Sequence, residues 1–371
     1  MKEKQLSHQD QNGNLSQPDM MQAVREEEER KKRRNRIIII AAVILAALVL
    51  MGIIVFGVMS GREEPEPQQT SQVQTTEAVV YGDEKYGIDP EVDKALKDYR
   101  NVVLFGIDTA DVSDEAGHRS DGIIIISFNK VSDDVKIFSV YRDTYLKIDD
   151  SSFDKINHAY AFGGMDQSIK ALNRNLDLNI REGMALTWDA IGNLVDKIGG
   201  VEIEVLDSEI NEMNKGLSQE DQIISAGVHN LNGKQAVSYS RIRYDSAAGD
   251  HRRNERMQAV LIAALNKAKT LDPGELMTIM DETLAEVSTN MTNDKMTDIL
   301  MRIASYNIKE NVCWPYDTRG WMKNSIYYGV PVTLQSNVSK LHEELFGQED
   351  YDPTDFVKDA GSSIINESGY N

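Results

Sequence analysis

One cysteine, Cys313, stands in 371 residues. No disulfide can close within the chain, and a zinc site built on thiolates is excluded. The six histidines lack the HExxH spacing that would place two imidazoles on one helical face. Neither a Walker-A loop nor a GxGxxG turn is present, so a nucleotide fold has no support. Basic excess is missing too. The formal net charge is -20, which argues against a general nucleic-acid binder, since that function needs a basic face to neutralise phosphates. No internal repeat is visible. What is plentiful is apolar material, 41% of residues, enough for a core of one large or two small domains.

That apolar material is unevenly spread. Residues 1–36 form a polar and basic head that ends in the charge run Arg25–Arg36, whose Glu-then-Lys/Arg order at four-residue spacing supports a helix. Ile37–Met59 is uninterrupted by charge. It is long enough for a hydrocarbon core of about 30 Å, which takes about 20 helical residues. A cleaved signal peptide would have an apolar region of only about 7–15 residues. The stretch therefore reads as a single retained transmembrane helix. Lys31, Lys32, Arg33, Arg34 and Arg36 precede it, so the positive-inside rule puts the head in the cytoplasm and the rest outside the cell membrane. Residues 60–85 read as an extracellular linker rich in Gln, Thr, Glu and Pro, residues 86–347 as the main domain, and residues 348–371 as a disordered acidic tail.

Within the main domain, Asn101–Ile107, Gly122–Phe128 and Val135–Val140 read as strands, the second too apolar for a one-sided sheet. Asp166–Leu176, Trp188–Ile198, Leu231–Ser240, Asn254–Ala268, Leu271–Leu284 and Asn293–Tyr306 have helical spacing. Val201–Val205 and Val330–Leu334 read as further strands and Ser336–Phe346 as a last helix. The order predicts an α/β fold, a mixed central sheet covered by helices. Trp188, Trp314 and Trp321 are expected in the core.

Against the acidic background, arginines and aspartates cluster. The clusters read His118-Arg119-Ser120-Asp121, Tyr141-Arg142-Asp143-Thr144, Arg241-Ile242-Arg243 and Asp250-His251-Arg252-Arg253-Asn254-Glu255-Arg256. The planar guanidinium fork matches two phosphate oxygens at once, so the clusters predict an anion site. Asp108 ends the first strand, Asp121 precedes the second and Arg142 follows the third. Neighbouring strands would gather these residues and Arg119 at one rim of the sheet, where α/β folds place ligands. Asp108 and Asp121 are candidates for a Mg²⁺-type cation, which takes one or two carboxylates together with waters and phosphates. The same carboxylates would equally serve to hold the arginines. Arg253 and Arg256 share a helical face, with Asp250 and Asn254 as candidate N-caps. Arg252 and His251 read as solvated.

The segments NVVLFGID, HRSDGIIIISFN, FSVYRDTYLKI, KINHAYAFGG, DKIGGVEIEV and LNGKQAVSYSRIRYDSAAGDHRRNER resemble, in order and spacing, the LytR–CpsA–Psr family of cell-envelope proteins. The resemblance spans roughly Arg100 to Leu265. It implies an α/β/α sandwich with a groove for a polyprenyl chain. It also implies a phosphotransferase that moves a glycopolymer, of teichoic acid or capsule type, from a polyprenyl-pyrophosphate-linked glycan to peptidoglycan. By matching positions, Asp108 and Asp121 would bind Mg²⁺, and Arg119, Arg142, Arg241, Arg243, Arg253 and Arg256 would contact the pyrophosphate. Arg119, Asp121, Arg142 and Asp143 form the expected catalytic group, with Asp121 or Asp143 as general base. Family members often carry Gln directly after the arginine of the last motif, where this chain has Met257. Its Gln258 comes one residue later, turned by about 100° on a helix. Two other readings use the same sequence: a polyprenyl-pyrophosphate pyrophosphatase with water as acceptor, and a non-enzymatic envelope regulator or binding module. No nucleic-acid partner is expected, and the sequence leaves the oligomeric state open.

Overall fold

A computed structural model describes residues 80–109, 117–243, 249–268 and 306–371, with part of the stretch 269–305. The expected membrane helix, Ile37–Met59, lies outside the described residues. Among those described, no helix is long and apolar enough to cross a membrane. Helix α1 (Pro90–Ala95) starts where Asp89 accepts hydrogen bonds from the amides of Glu91 and Val92, with proline in the first turn. Strands β1 (Tyr99–Ile107), β2 (Ser120–Asn129) and β3 (Asp134–Val140) follow. Short strands β4 (Tyr145–Lys147) and β5 (Phe153–Lys155) lead to helix α2 (His158–Leu176). Next come β6 (Glu182–Thr187), α3 (Trp188–Lys197), β7 (Val201–Val205), α4 (Asp207–Asn214), β8 (Gly227–Leu231), α5 (Gly233–Ser240) and α6 (Gly249–Ala268). The last part holds β9 (Val287–Thr289), β10 (Asn307–Trp314), β11 (Thr318–Lys323), β12 (Ile326–Pro331), α7 (Leu334–Phe346) and α8 (Asp355–Ser368).

Among the described residues, the central sheet runs β10-β3-β2-β1-β6-β9. It is mixed, as expected: β1 pairs antiparallel with β2 and parallel with β6, and β3 pairs parallel with β10. The period of two along β1 explains the two layers around it. Val102 and Leu104 join Leu194, Val195, Ala236 and Val260 of α3, α5 and α6 on one face. Val103, Phe105 and Ile107 join Ile169, Leu172, Leu341 and Val357 of α2, α7 and α8 on the other. Each such buried aliphatic side chain contributes about 1.5–3 kcal/mol. Helices α3 and α5 pack closely, because a Cβ on Gly233 would fall 2.1 Å from the Gly192 carbonyl oxygen.

The tail departs from expectation. Residues 348–371 do not form a disordered tail, since α8 docks on the sheet domain. Val357, Ala360, Gly361 and Ile364 are buried at i, i+3, i+4, i+7 spacing. Thr354 caps the helix and also donates its hydroxyl to Asp177 at 2.7 Å, while Glu367 accepts from Tyr145 and Lys323. Acidic and small residues dilute this apolar stripe, which is why composition read as a tail. Asn254 is not an N-cap: α6 begins at Gly249, leaving Asn254 buried inside the helix. Helix α2 begins at His158 rather than Asp166, with non-helical backbone at Gly163 and Gly164 that masks its period. Strands β4 to β6 and β8 to β11 were not expected. The predicted helices Leu271–Leu284 and Asn293–Tyr306 fall largely outside the described residues.

Candidate active site

The sheet brings the aspartates and most of the arginines to one end. In the β1–β2 ladder Gly106 faces Gly122 and Ile107 faces Ser120, so Asp121 is the extra residue of a bulge. A bulge re-aims a side chain at the end of a ladder. Asp121 Oδ1 lies 2.5 Å from Arg142 Nη1, and its Oδ2 lies 3.6 Å from Arg243 Nη2. Arg253 of α6 donates Nη2 to the Asp121 carbonyl at 3.2 Å and is only 1% exposed. Asp108 leaves β1 with a side chain 59% exposed, 3.9 Å from Arg241 Nη2. The Arg241 guanidinium lies over the Trp188 ring, 5.5 Å from its centroid. Arg119 is exposed immediately before β2. Strands β1, β2 and β3 are therefore the neighbours the sequence required.

Two expected participants sit differently. Arg256 faces away from this rim: it is buried, with Nε 2.9 Å from Glu209 Oε1 and Nη1 donating to the Ile242 carbonyl at 3.0 Å. One helical face does not bring it beside Arg253 in function, because Glu209 of α4 captures the guanidinium. The Ile242 carbonyl lies between Arg241 and Arg243, so Arg256 braces their segment. Asp143 pairs with Lys155 Nζ at 2.7 Å and with Arg142 Nε at 3.5 Å. Arg252, expected in solvent, is half-buried and 3.6 Å from the same Glu209 oxygen. His251 is exposed as expected, its ring centroid 4.1 Å from that of Tyr141.

Lys155, Glu209 and Trp188 are members of this arrangement that sequence reasoning did not assign. Lys155 is the first residue of the KINHAYAFGG run, a signal present but given no chemistry. Beside the rim, a narrow apolar cavity of about 50 Å³ lies between the sheet and helices α3 and α6. Gly106 and Gly122 floor it, and Leu186, Trp188, Val195, Met257 and Leu261 wall it. Met257, where Gln was the expected family residue, faces this cavity, and Gln258 is buried and donates to the Ser139 hydroxyl. The 100° offset thus turns Gln258 into the core. Among the described residues, no group of three or more His, Cys, Asp or Glu side chains converges as a metal cage. A cation on Asp108 and Asp121 would need waters and substrate oxygens to complete its coordination, the habit of magnesium.

Guanidinium groups outnumber carboxylates at this rim, and an apolar slot opens beside them. Residues 66–345 match the LytR_cpsA_psr family. The chain belongs to the LytR–CpsA–Psr family. It is similar to the polyisoprenyl-teichoic acid–peptidoglycan teichoic acid transferase TagU of Bacillus cereus, 30% identical over 252 residues, covering 66% of this chain and 78% of that one. The crystal structure of Bacillus subtilis TagT shares the fold with a TM-score of 0.52 at 22% identity, covering 74% of this chain and 92% of that chain. A TagT structure with bound octaprenyl pyrophosphate lipid aligns at a TM-score of 0.50 and 22% identity, with the same coverage of 74% and 92%. The arrangement built above, an Arg–Asp rim on a mixed sheet, is thus placed in a LytR–CpsA–Psr domain.

Proposed function

We propose that this protein is an extracytoplasmic phosphotransferase that moves a glycopolymer from a polyprenyl-pyrophosphate carrier onto a sugar hydroxyl of peptidoglycan. The observation that carries this reading is the convergence of Arg142, Arg243 and Arg253 on Asp121 beside the apolar cavity. A pyrophosphate joined to an isoprenoid has just these two needs, a cationic seat and an apolar slot. The relatives named as teichoic acid transferases support the same reaction with a glycopolymer of teichoic acid type; a capsule-type polymer would use the same chemistry. Ile37–Met59 anchors the domain as a single-pass helix with the head in the cytoplasm, which keeps the rim at the membrane face where such a carrier resides.

Phosphoryl transfer rests on positioning and charge stabilisation. Arg142 and Arg243, held in place through Asp121, present guanidinium forks to the two phosphates, and Arg119 and Arg241 add to that field from the exposed side. Asp108 and Asp121 would hold Mg²⁺, whose chemistry is to neutralise phosphate oxygens as charge develops. The cavity is walled by Trp188 and Val195 of α3 and by Met257 and Leu261 of α6, so a lipid tail entering it would pack against those two helices. The test is reconstitution of the full chain with a lipid-linked glycan, peptidoglycan and Mg²⁺. The expected products are peptidoglycan-bound glycan and free polyprenyl phosphate, lost when the metal is chelated. Release of phosphorylated glycan into water without attachment would establish the pyrophosphatase instead.

A further inference from the structure

Attack by a sugar hydroxyl on phosphorus requires somewhere for the hydroxyl proton to go. The carboxylates expected to take it are already engaged: Asp121 by Arg142 and Arg243, Asp143 by Lys155 and Arg142. The segment that supplies Lys155 carries a different arrangement. His158 opens α2 with Nδ1 2.7 Å from Asp154 Oδ2. The other Asp154 oxygen accepts the Lys155 amide at 2.8 Å. A carboxylate on Nδ1 assigns the proton to that nitrogen and leaves Nε2 as the acceptor. The pair is stitched to the rim backbone. The Ile156 amide donates to the Thr144 carbonyl at 2.9 Å, and the Asn157 amide donates to the Arg142 carbonyl at 3.2 Å. The Gly117 amide donates to the Ala161 carbonyl at 3.1 Å, which lays the strand of chain leading to Arg119 across the first turn of α2. Phe162, 69% exposed, meets the His158 ring edge-on at 5.9 Å between centroids.

We propose that His158, oriented by Asp154, is the general base for the acceptor hydroxyl; this rests on the transferase reading above. In the step, the hydroxyl oxygen bonds to the phosphorus that carries the glycan. The bond from that phosphorus to the bridging oxygen breaks, and polyprenyl phosphate leaves with the electron pair. The hydroxyl proton passes to His158 Nε2. The glycan becomes joined to the acceptor by a phosphodiester. His158 lies on the face of the sheet opposite the apolar cavity, so lipid and acceptor approach the phosphates from different sides.

Asp154 is faced by the Tyr328 hydroxyl of β12 and the Lys155 amide of β5, and the Lys155 ammonium leads on to Asp143, which meets Arg142. Burial alone would raise the Asp154 carboxyl. Hydrogen bonds from His158, the Lys155 amide and the Tyr328 hydroxyl bring it below the usual carboxylate range, so Asp154 stays ionised beside the ring.

The test is transfer from the lipid-linked glycan to peptidoglycan by the full chain, measured across pH, with octaprenyl pyrophosphate binding followed in parallel by thermal shift. His158→Gln is expected to lower kcat about 10²-fold or more and to remove the acid limb of the pH profile, while binding stays unchanged. Asp154→Asn is expected to lower kcat less and to displace that limb. Imidazole is expected to restore part of the rate to His158→Ala. Full activity of His158→Gln with its acid limb intact would overturn the assignment. So would loss of octaprenyl pyrophosphate binding in step with the rate, which marks a structural role. Arg142→Ala separates the two levels: if it retains transfer, the rim is not the transfer site. If it abolishes transfer while His158→Gln does not, only the base is wrong.

Discussion

The two faces of the central sheet are built from the same alternating strands and yet differ in kind. On one face α3, α5 and α6 leave an apolar slot floored by Gly106 and Gly122. On the other, the contacts interlock. Tyr145 meets Phe153, Trp321 and Tyr328, while Asp177 accepts from Tyr351 and Thr354. His342 stacks on Tyr351 with ring centroids 3.7 Å apart. Around the cavity the first face is apolar, with α6 tied to the sheet by hydrogen bonds from Arg253 to the Asp121 carbonyl and from Gln258 to Ser139. Opening the second face would break the buried contacts of Asp177 and Tyr145, and a polar contact left unmade costs about 1–3 kcal/mol. A single β-ladder thus supports a yielding wall for a lipid and a rigid wall that fixes Arg142, Asp143 and their neighbours.

The comparison can be broken most severely at the ion pair that braces the yielding side. Arg256→Met leaves Glu209 buried without its closest cation and is expected to cost about 3–5 kcal/mol, read as a lower denaturant midpoint. Restoring the charge with Arg256→Lys should recover part of that loss. Gly122→Val places a side chain on the cavity floor, where a Cβ already meets Met257 Sδ at 3.4 Å. The expected result is about tenfold weaker donor binding, or about 1.4 kcal/mol, with the rate at saturation little changed. An unchanged donor KM would mean the lipid does not use this face.

The smallest effect belongs to the rigid face. Burial lowers His342 from its ordinary value of 6.5. A depressed folded value gives stability that is present above the unfolded value and is lost as pH falls towards the folded one. Thermal stability is therefore expected to decline as the pH drops below about 6.5, and His342→Gln should flatten that slope. A slope that survives the substitution would assign the titration to another group.

The strand-end logic was legible because it needed only neighbouring strands: Asp121 meets Arg142, and Asp108 leaves the end of the adjacent strand, as their places in sequence required. The exact partner of a guanidinium was not. Arg253 and Arg256 share a helical face, and only the tertiary placement of Glu209 separates a rim residue from a brace. The hairpin β11–β12 had a local signal in Asn324 and Ser325, both at positive φ, a two-residue turn between aromatic strands. Helix α8 had a correct apolar period hidden by acidic composition. His158 and Asp154 were visible as an i, i+4 pair, but nothing in the sequence brings them next to Arg142. That contact is made by backbone amides of residues 156 and 157.

On the proposed function, the guanidinium rim around Asp121 seats the pyrophosphate that is transferred. The most direct measurement of this is the single-turnover transfer rate of Arg142→Ala in the full chain, with fold checked by circular dichroism. A loss of about 10²-fold or more in a folded protein is the expected result, the scale of removing one preorganised charge donor. A folded Arg142→Ala protein that transfers glycan at the unaltered rate would contradict the account.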